Sequence, residues 1–216
     1  ALSIPSIASR VAHVKRHRES SDRETTKRLA EYPHAFGERR HKSVRSILIA
    51  RHSAEDRPYL PFDIVGPDTV IADSAIALPN FKMFELAVYA SRMHLAWVAT
   101  VCGKIKSDYR YSNTLGWNTF PVPKLTEQSK ADLTRTAENI LLAREAHFPA
   151  TIADLYDPED MPDDLRRAHE ENDEVLERIY IGRRFRNDTE RLEKLFDLYT
   201  KMTANAPKPR KARKAA

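Results

Sequence analysis

The most chemically informative residues lie in Lys104-Ile-Lys-Ser-Asp-Tyr-Arg-Tyr-Ser112. The alternation predicts a strand, in which residues two apart share a face. One face then carries Lys104, Lys106, Asp108 and Arg110, and the other Ile105, Ser107, Tyr109 and Tyr111. The second face suits packing. The first holds groups of the kind that read base edges: Lys or Arg donates to guanine N7 and O6, and Asp accepts from cytosine N4. The same residues also suit a solvated strand with cross-strand ion pairs, and spacing alone does not separate the two. Upstream, Arg51-His52 and Arg57 form a further basic group, fit for clamping phosphates or for ordinary surface.

No catalytic pattern accompanies them. A Gly-x-Ser-x-Gly elbow is absent, as are His-Glu-x-x-His and paired Cys/His spacings. No Asp or Glu has Lys two residues on, which excludes the common metal-dependent nuclease pattern. The five glycines, at 37, 66, 103, 116 and 182, include no Gly-x-Gly, so neither a Rossmann turn nor a P-loop can form. The acids Asp157, Glu159, Asp160, Asp163 and Asp164 fit a helix N-terminus better than a metal. His94 and Cys102 fall in an apolar segment and read as core residues.

The elements that must position these groups follow from periodicity. Residues 5–20 predict a helix with Ile7, Val11 and Val14 on one side, and residues 22–31 a second, with Asp22 as N-cap and Tyr32-Pro33 as its stop. Residues 45–51, 62–65, 69–72 and 74–78 predict strands in an antiparallel rhythm. Residues 82–102 are apolar on nearly every side, which predicts one buried helix closed by Gly103. Phe120-Pro-Val-Pro-Lys-Leu125 is a stiff connector, and the remainder is helical, with Thr126 as a cap, Pro162 at the first position of a helix and Asp188 opening the last. The expected architecture is α+β: a mixed or antiparallel sheet with flanking helices, then an α-helical C-terminal subdomain. Boundaries fall at 1–124, 125–205 and a disordered basic tail, 206–216.

Of the 216 residues, 41% are hydrophobic and 31% charged, a globular composition large enough to bury a core. The net charge of +5 is unevenly spread. Residues 1–60 carry 13 Lys+Arg against 7 Asp+Glu and five of the eight histidines; residues 125–205 carry 12 against 19; residues 206–216 carry five basic groups and no acid. A basic first half attracts polyanions, and an acidic third quarter faces away from them. There is no apolar run long enough to span a membrane and no signal-peptide pattern. The lone cysteine excludes an internal disulfide and fits a reducing, cytoplasmic setting. The missing initiator Met suggests a fragment.

Several longer segments carry a resemblance. VCGKIKSDYRYSN at 101–113 followed by WNTFPVP at 117–123 resembles a signature of the MmeI-like family of type II restriction-modification enzymes. RESSDRETTKRLAEYPHAFGERR at 18–40, LIARHSAEDRPYLP at 48–61, SRMHLAWVATVCG at 91–103 and ADLYDPEDMPDDLRRAHEENDEVLERIY at 153–180 are similar to the family in the same order. Its members fuse a nuclease, an adenine-N6 methyltransferase and a target recognition domain in one chain.

The resemblance implies a target recognition domain with its C-terminal helical segment, binding double-stranded DNA next to the methyltransferase domain of the parent chain, with no membrane partner. Base contacts are then expected at Lys106, Asp108, Arg110 and Ser74, and phosphate contacts at Arg51, His52, Arg57 and Lys104. S-adenosylmethionine and Mg belong to the parent; the chain lacks the family's glycine loop and has no Pro-Pro for its Asn-Pro-Pro-Tyr/Phe motif, so no catalytic or cofactor residue is expected here. Two other functions remain open: a protein-interaction module of a phage-defence complex, and a sequence-indifferent nucleic-acid binder. Single-strand binding wants aromatic platforms on a basic groove, whereas Tyr109 and Tyr111 alternate away from the basic face.

Overall fold

The computed structural model describes residues 2–204; the expected basic tail lies outside them. The described residues divide into two compact units that meet between Lys42 and Ser43.

The first unit is helical. Helix α1 (Pro5–Glu19) opens with Pro at its start, where a missing N–H costs nothing. Helix α2 (Glu24–Arg28) is shorter than its sequence suggests: it tightens into a 3₁₀ turn over Leu29–Glu31, and Arg23, not Asp22, sits at its cap position without a side-chain bond. The Arg18 guanidinium closes the unit by donating to the carbonyls of Leu29, Tyr32 and Ala35 at 2.8, 2.9 and 2.9 Å.

The second unit contains two small antiparallel sheets. Strand β1 (Ser46–Ala50) is central in the first, between β3 (Phe62–Val65) and β4 (Ala75–Pro79). Its alternation sends the fully buried Ile47 and Ile49 into the core. The second sheet has the order β2-β6-β5, from β2 (His52–Ser53), β5 (Gly103–Ile105) and β6 (Asp108–Arg110). A single extended segment therefore serves both sheets, passing from β1 to β2 through Arg51. Residues 69–72 form no strand. They lie in the loop that connects β3 to β4 around the central β1.

The apolar segment 82–102 is not one helix but two. Helix α3 (Met83–Tyr89) ends at Ala90, and α4 (Arg92–Val101) starts afresh with Ser91 extended and its hydroxyl accepting from the His94 N–H at 3.1 Å. Serine is a strong N-cap, and that local bond competes with helix continuation. Helix α4 then runs straight into β5: Cys102 is already extended, and Gly103 begins the strand instead of capping the helix.

Beyond the Pro-rich connector come α5 (Glu127–Glu145, capped by Thr126), the short α6 (Ile152–Leu155), α7 (Asp163–Ile181) and α8 (Asp188–Thr203, capped by Asn187). Pro162 occupies the cap position of α7 instead of its first turn, and Gly182 ends that helix with φ of 78°, where any other residue is strained. No helix is long and apolar enough to cross a membrane among the described residues. One hydrophobic core runs from Ile47 on β1 through α3, α4, α5 and α7 to Leu195 on α8, so the segments on either side of residue 124 share it.

Trp97 lies at the heart of that core, 1% exposed, with its indole N–H on the Thr119 hydroxyl and its ring against Phe120, Phe196 and Tyr199. Trp97→Ala is expected to cost about 3–5 kcal/mol, measured by denaturant unfolding. A loss below about 1 kcal/mol would place α4 at a surface instead.

Candidate nucleic-acid interface

The Lys104–Ser112 stretch is not one continuous strand. It folds back on itself as a hairpin, with β5 and β6 paired Gly103 to Arg110, Lys104 to Tyr109 and Ile105 to Asp108. Lys106 and Ser107 make the turn, and Lys106 takes φ of 55°, a conformation that glycine or asparagine adopts far more readily than lysine. Folding back re-sorts the faces, because cross-strand partners point the same way. On the front lie Ile105, Asp108 and Arg110, joined by His52, which pairs with Arg110. On the back lie Lys104 and Tyr109, joined by the buried Ser53. Lys104 is thus parted from Asp108 and Arg110, while Lys106 stands at the apex. The side chains of Lys106, Asp108 and Arg110 are exposed and have no hydrogen-bond or ion-pair partner among the described residues.

Arg51 stands at the seam between the sheets. Its N–H donates to the Ser74 carbonyl at 3.1 Å, its own carbonyl accepts from the Tyr111 N–H at 2.8 Å, and its Nε donates to the Asp73 carbonyl at 2.6 Å. The seam therefore gathers Arg51, His52, Ser74 and Arg110 at one exposed edge. Arg57 is elsewhere: its guanidinium donates to the Ala153 carbonyl at 3.2 Å. Lys104 is ion-paired to Glu55 at 3.3 Å on the back face.

The base of the hairpin is anchored in the core. The Tyr111 hydroxyl meets His94 Nε2 at 3.1 Å, and a ring cage of Tyr89, Trp117 and Phe120 completes the surroundings of the imidazole. Burial drives the His94 pKa down to about 3, so the ring is neutral. Its Nδ1 has no partner among the described residues. Gly116, in a π-helical turn over Asn113–Trp117, is needed for close approach: a Cβ there would stand 3.3 Å from both Cys102 Sγ and Val98 Cγ2.

Behind this lies a feature that apolar patterning missed, a buried polar row on α7. His169 and Asn172 donate to the carbonyls of Ala90 and Ala87 at 3.0 and 2.8 Å, satisfying orphan acceptors at the end of α3. Since Nδ1 of His169 faces a carbonyl it carries the proton, and Nε2 accepts from the Tyr156 hydroxyl at 2.9 Å. One turn along, Asp173 accepts from the Arg92 N–H at the start of α4 at 2.7 Å and from the Tyr59 hydroxyl at 2.9 Å. Glu177 receives Arg191 at 2.6 Å and the Phe185 N–H at 2.9 Å. The row sits in helical phase with Leu165 and Leu176, and that phase was the available signal.

The acids at 157–164 split up: Asp157 accepts from the Glu159 N–H, Asp164 pairs with His147 at 2.7 Å, and Asp163 and Asp164 lie in the first turn of α7. No group of His, Cys, Asp and Glu among the described residues is placed to hold a metal.

Residues 1–124 match the family model described as MmeI, target recognition domain, and residues 125–206 match MmeI, C-terminal domain. The chain belongs to the MmeI family. Its target recognition domain and C-terminal domain are 38% identical over 199 residues to DNA methyltransferase A of Bacillus subtilis (strain 168), covering 92% of this chain and 22% of that protein. They also resemble a solved structure of the type IIL restriction-modification enzyme MmeI in complex with DNA, with a TM-score of 0.87 and 29% identity, over 94% of this chain and 27% of that one. The chain thus spans about a quarter of these relatives. The expected α+β fold with a helical C-terminal part is the one observed.

Three buried groups, His94 on α4 and His169 and Asp173 on α7, shape the pH dependence of folding. Burial depresses His94 and His169 to about 3, whereas desolvation raises Asp173 to about 7. Between about pH 6 and 5, above the range in which the lowered carboxylates such as Glu190 titrate, the unfolded chain therefore binds two histidine protons that the folded chain refuses, and the folded chain binds one on Asp173 that the unfolded chain has released. The excess of one proton lies with the unfolded state, so stability falls with acid. Asp173→Asn removes the opposing proton, and the slope of unfolding free energy against pH should roughly double toward two protons. Denaturation midpoints across that range would show it; an unchanged slope would refute the assignment.

Proposed function

We propose that this chain recognises a specific sequence in duplex DNA on behalf of a larger restriction-modification enzyme that carries an adenine-N6 methyltransferase and a nuclease. The observation that carries the proposal is the exposed hairpin: Lys106 at its turn and Asp108 and Arg110 on its front face are exposed and unpaired among the described residues on a two-stranded ribbon. A ribbon of this width enters the major groove, where the four base pairs present distinct donor and acceptor patterns. Membership of a target recognition family and likeness to an enzyme solved with DNA support the same reading. The lysine at a φ that glycine prefers also supports it, since such strain marks positions where a side chain has work to do.

Lys106 and Asp108 read one base pair, the lysine donating to guanine O6 or N7 and the carboxylate accepting from the paired cytosine N4. Arg110 and Ser74 contact neighbouring bases. Arg51 and His52, at the seam, contact phosphates and fix the register without selecting sequence. The methyltransferase domain of the parent is the protein partner. S-adenosylmethionine and Mg act in the parent outside this chain, whose sequence offers no Gly-x-Gly or Pro-Pro from which the family's cofactor motifs are built. Binding falls steeply as salt rises, because neutralised phosphates release counterions.

The test is selection of random duplexes by the full-length parent, with sequencing of the bound pool. Lys106→Glu with Asp108→Arg should change preference at one position from G to C and leave the others intact. Each single change should lose roughly 1–3 kcal/mol of discrimination there. Lys106→Gly is the control: it suits the backbone at that position, so lost preference with retained stability assigns the effect to the side chain. An unchanged motif with uniformly weaker binding would show that the pair does not touch bases.

A further inference from the structure

The apex must be aimed, and few groups are available to aim it. A ribbon of three residues per strand has little stability of its own. Strand β5 is an edge, paired only to β6, and the front-face side chains Ile105, Asp108 and Arg110 are exposed. Among the described residues, the side chains from Gly103 to Arg110 form hydrogen bonds and ion pairs with one residue, Glu55. Its carboxylate holds the Lys104 ammonium at 3.3 Å, and its carbonyl accepts from the Tyr109 hydroxyl at 3.3 Å. The Lys104 ammonium also lies 5.2 Å from the centre of the Tyr109 ring, so the three groups close on one another.

Glu55 is itself on a fixed loop. Arg57 donates to the Ala153 carbonyl, Arg92 to the Pro58 carbonyl at 3.4 Å, and Tyr59 to Asp173. The Tyr59 ring stacks on His169 with centroids 4.1 Å apart. A continuous set of contacts therefore runs from α7, through the loop at 54–60, to the back of the hairpin. The Lys104–Tyr109 pair lies one pair below Ile105–Asp108, the second pair from the turn.

We infer that Glu55, Lys104 and Tyr109 form a clamp that sets the aim of the hairpin apex, which makes Glu55 and Lys104 positioning residues for base discrimination. Lys104 then contributes no phosphate contact, despite its charge. The inference rests on the proposed reading of DNA by the apex, and the two separate experimentally. A phosphate ligand and a positioning residue leave different marks: loss of the first weakens all sequences alike and lowers the salt slope by about 0.9 per contact, whereas loss of the second changes the ratio between sequences.

The experiment measures binding of the full-length parent to the selected duplex, and to the same duplex altered at the base pair read by Lys106 and Asp108, over a range of salt. Lys104→Gln should reduce the ratio of the two affinities about tenfold with the salt slope unchanged. Lys104→Arg, which keeps the ion pair and the ring contact, should restore the ratio. Glu55→Gln should reproduce the loss, and Lys104→Gln with Glu55→Gln should be no worse than either alone, as expected of one coupled pair. Both residues are half-exposed, and unchanged melting temperatures will confirm that the variants fold. An intact ratio with a slope lowered by one contact in Lys104→Gln makes Lys104 a phosphate ligand and overturns the clamp. If the wild-type protein shows no ratio at all, the proposed reading of DNA fails and the clamp falls with it.

Discussion

The break between α3 and α4 is where the molecule is held together. A helix interrupted inside a core leaves acceptors at one end and donors at the other, and each is expensive to bury unpaired. Helix α7 answers both from one face: His169 and Asn172 supply donors to the end of α3, and Asp173 supplies an acceptor to the start of α4. The carboxylate is well matched to a helix N-terminus, where the backbone presents positive charge. Because Asp173 also holds Tyr59, the same residue fixes the loop that carries Glu55. Removing it would leave Arg92 and Tyr59 without a buried acceptor, and the hairpin would lose the footing beneath it.

This arrangement changes what the charge distribution means. The excess of acids in residues 125–205 invites a picture of a solvated face turned from DNA. Yet Asp173 and Glu177 are 3% and 0% exposed and serve as internal acceptors. Others are engaged locally: Glu190, held by Arg183 and the Arg186 N–H, is lowered to about 2. The C-terminal helices are therefore less a separate acidic body than a frame built around the strands, as the shared core from Ile47 to Leu195 requires.

Much of the fold was legible in the sequence wherever local physics decides the outcome. The cap at Thr126, the start of the last helix at Asp188 and the strand carrying Ile47 and Ile49 all follow from residue type and spacing. What could not be read was set by tertiary demand. Ser91 lies in an apolar run that hides its role as a cap, and α7 supplies the buried partners that let the helix break there. The turn at Lys106–Ser107 lacks the Gly, Asn or Asp that usually marks a hairpin, so the segment looked like one strand. That one missed turn moved Lys104 to the opposite face from Arg110, yet left Lys106 and Asp108 both exposed at the turn end of the hairpin. Residue types at the candidate site were thus readable, and their facing was not.

The extended segment through Arg51 also governs how such a molecule can diverge. Residues 46–50 are registered against β3 and β4, and residues 52–53 against β6. An inserted or deleted residue within that run would slip one sheet against the other and turn its side chains over. Connections outside the shared segment, such as the loop before β4, can change length without disturbing either register. Point replacement on a rigid grid, with the backbone spacing kept, is therefore the change this architecture admits most readily.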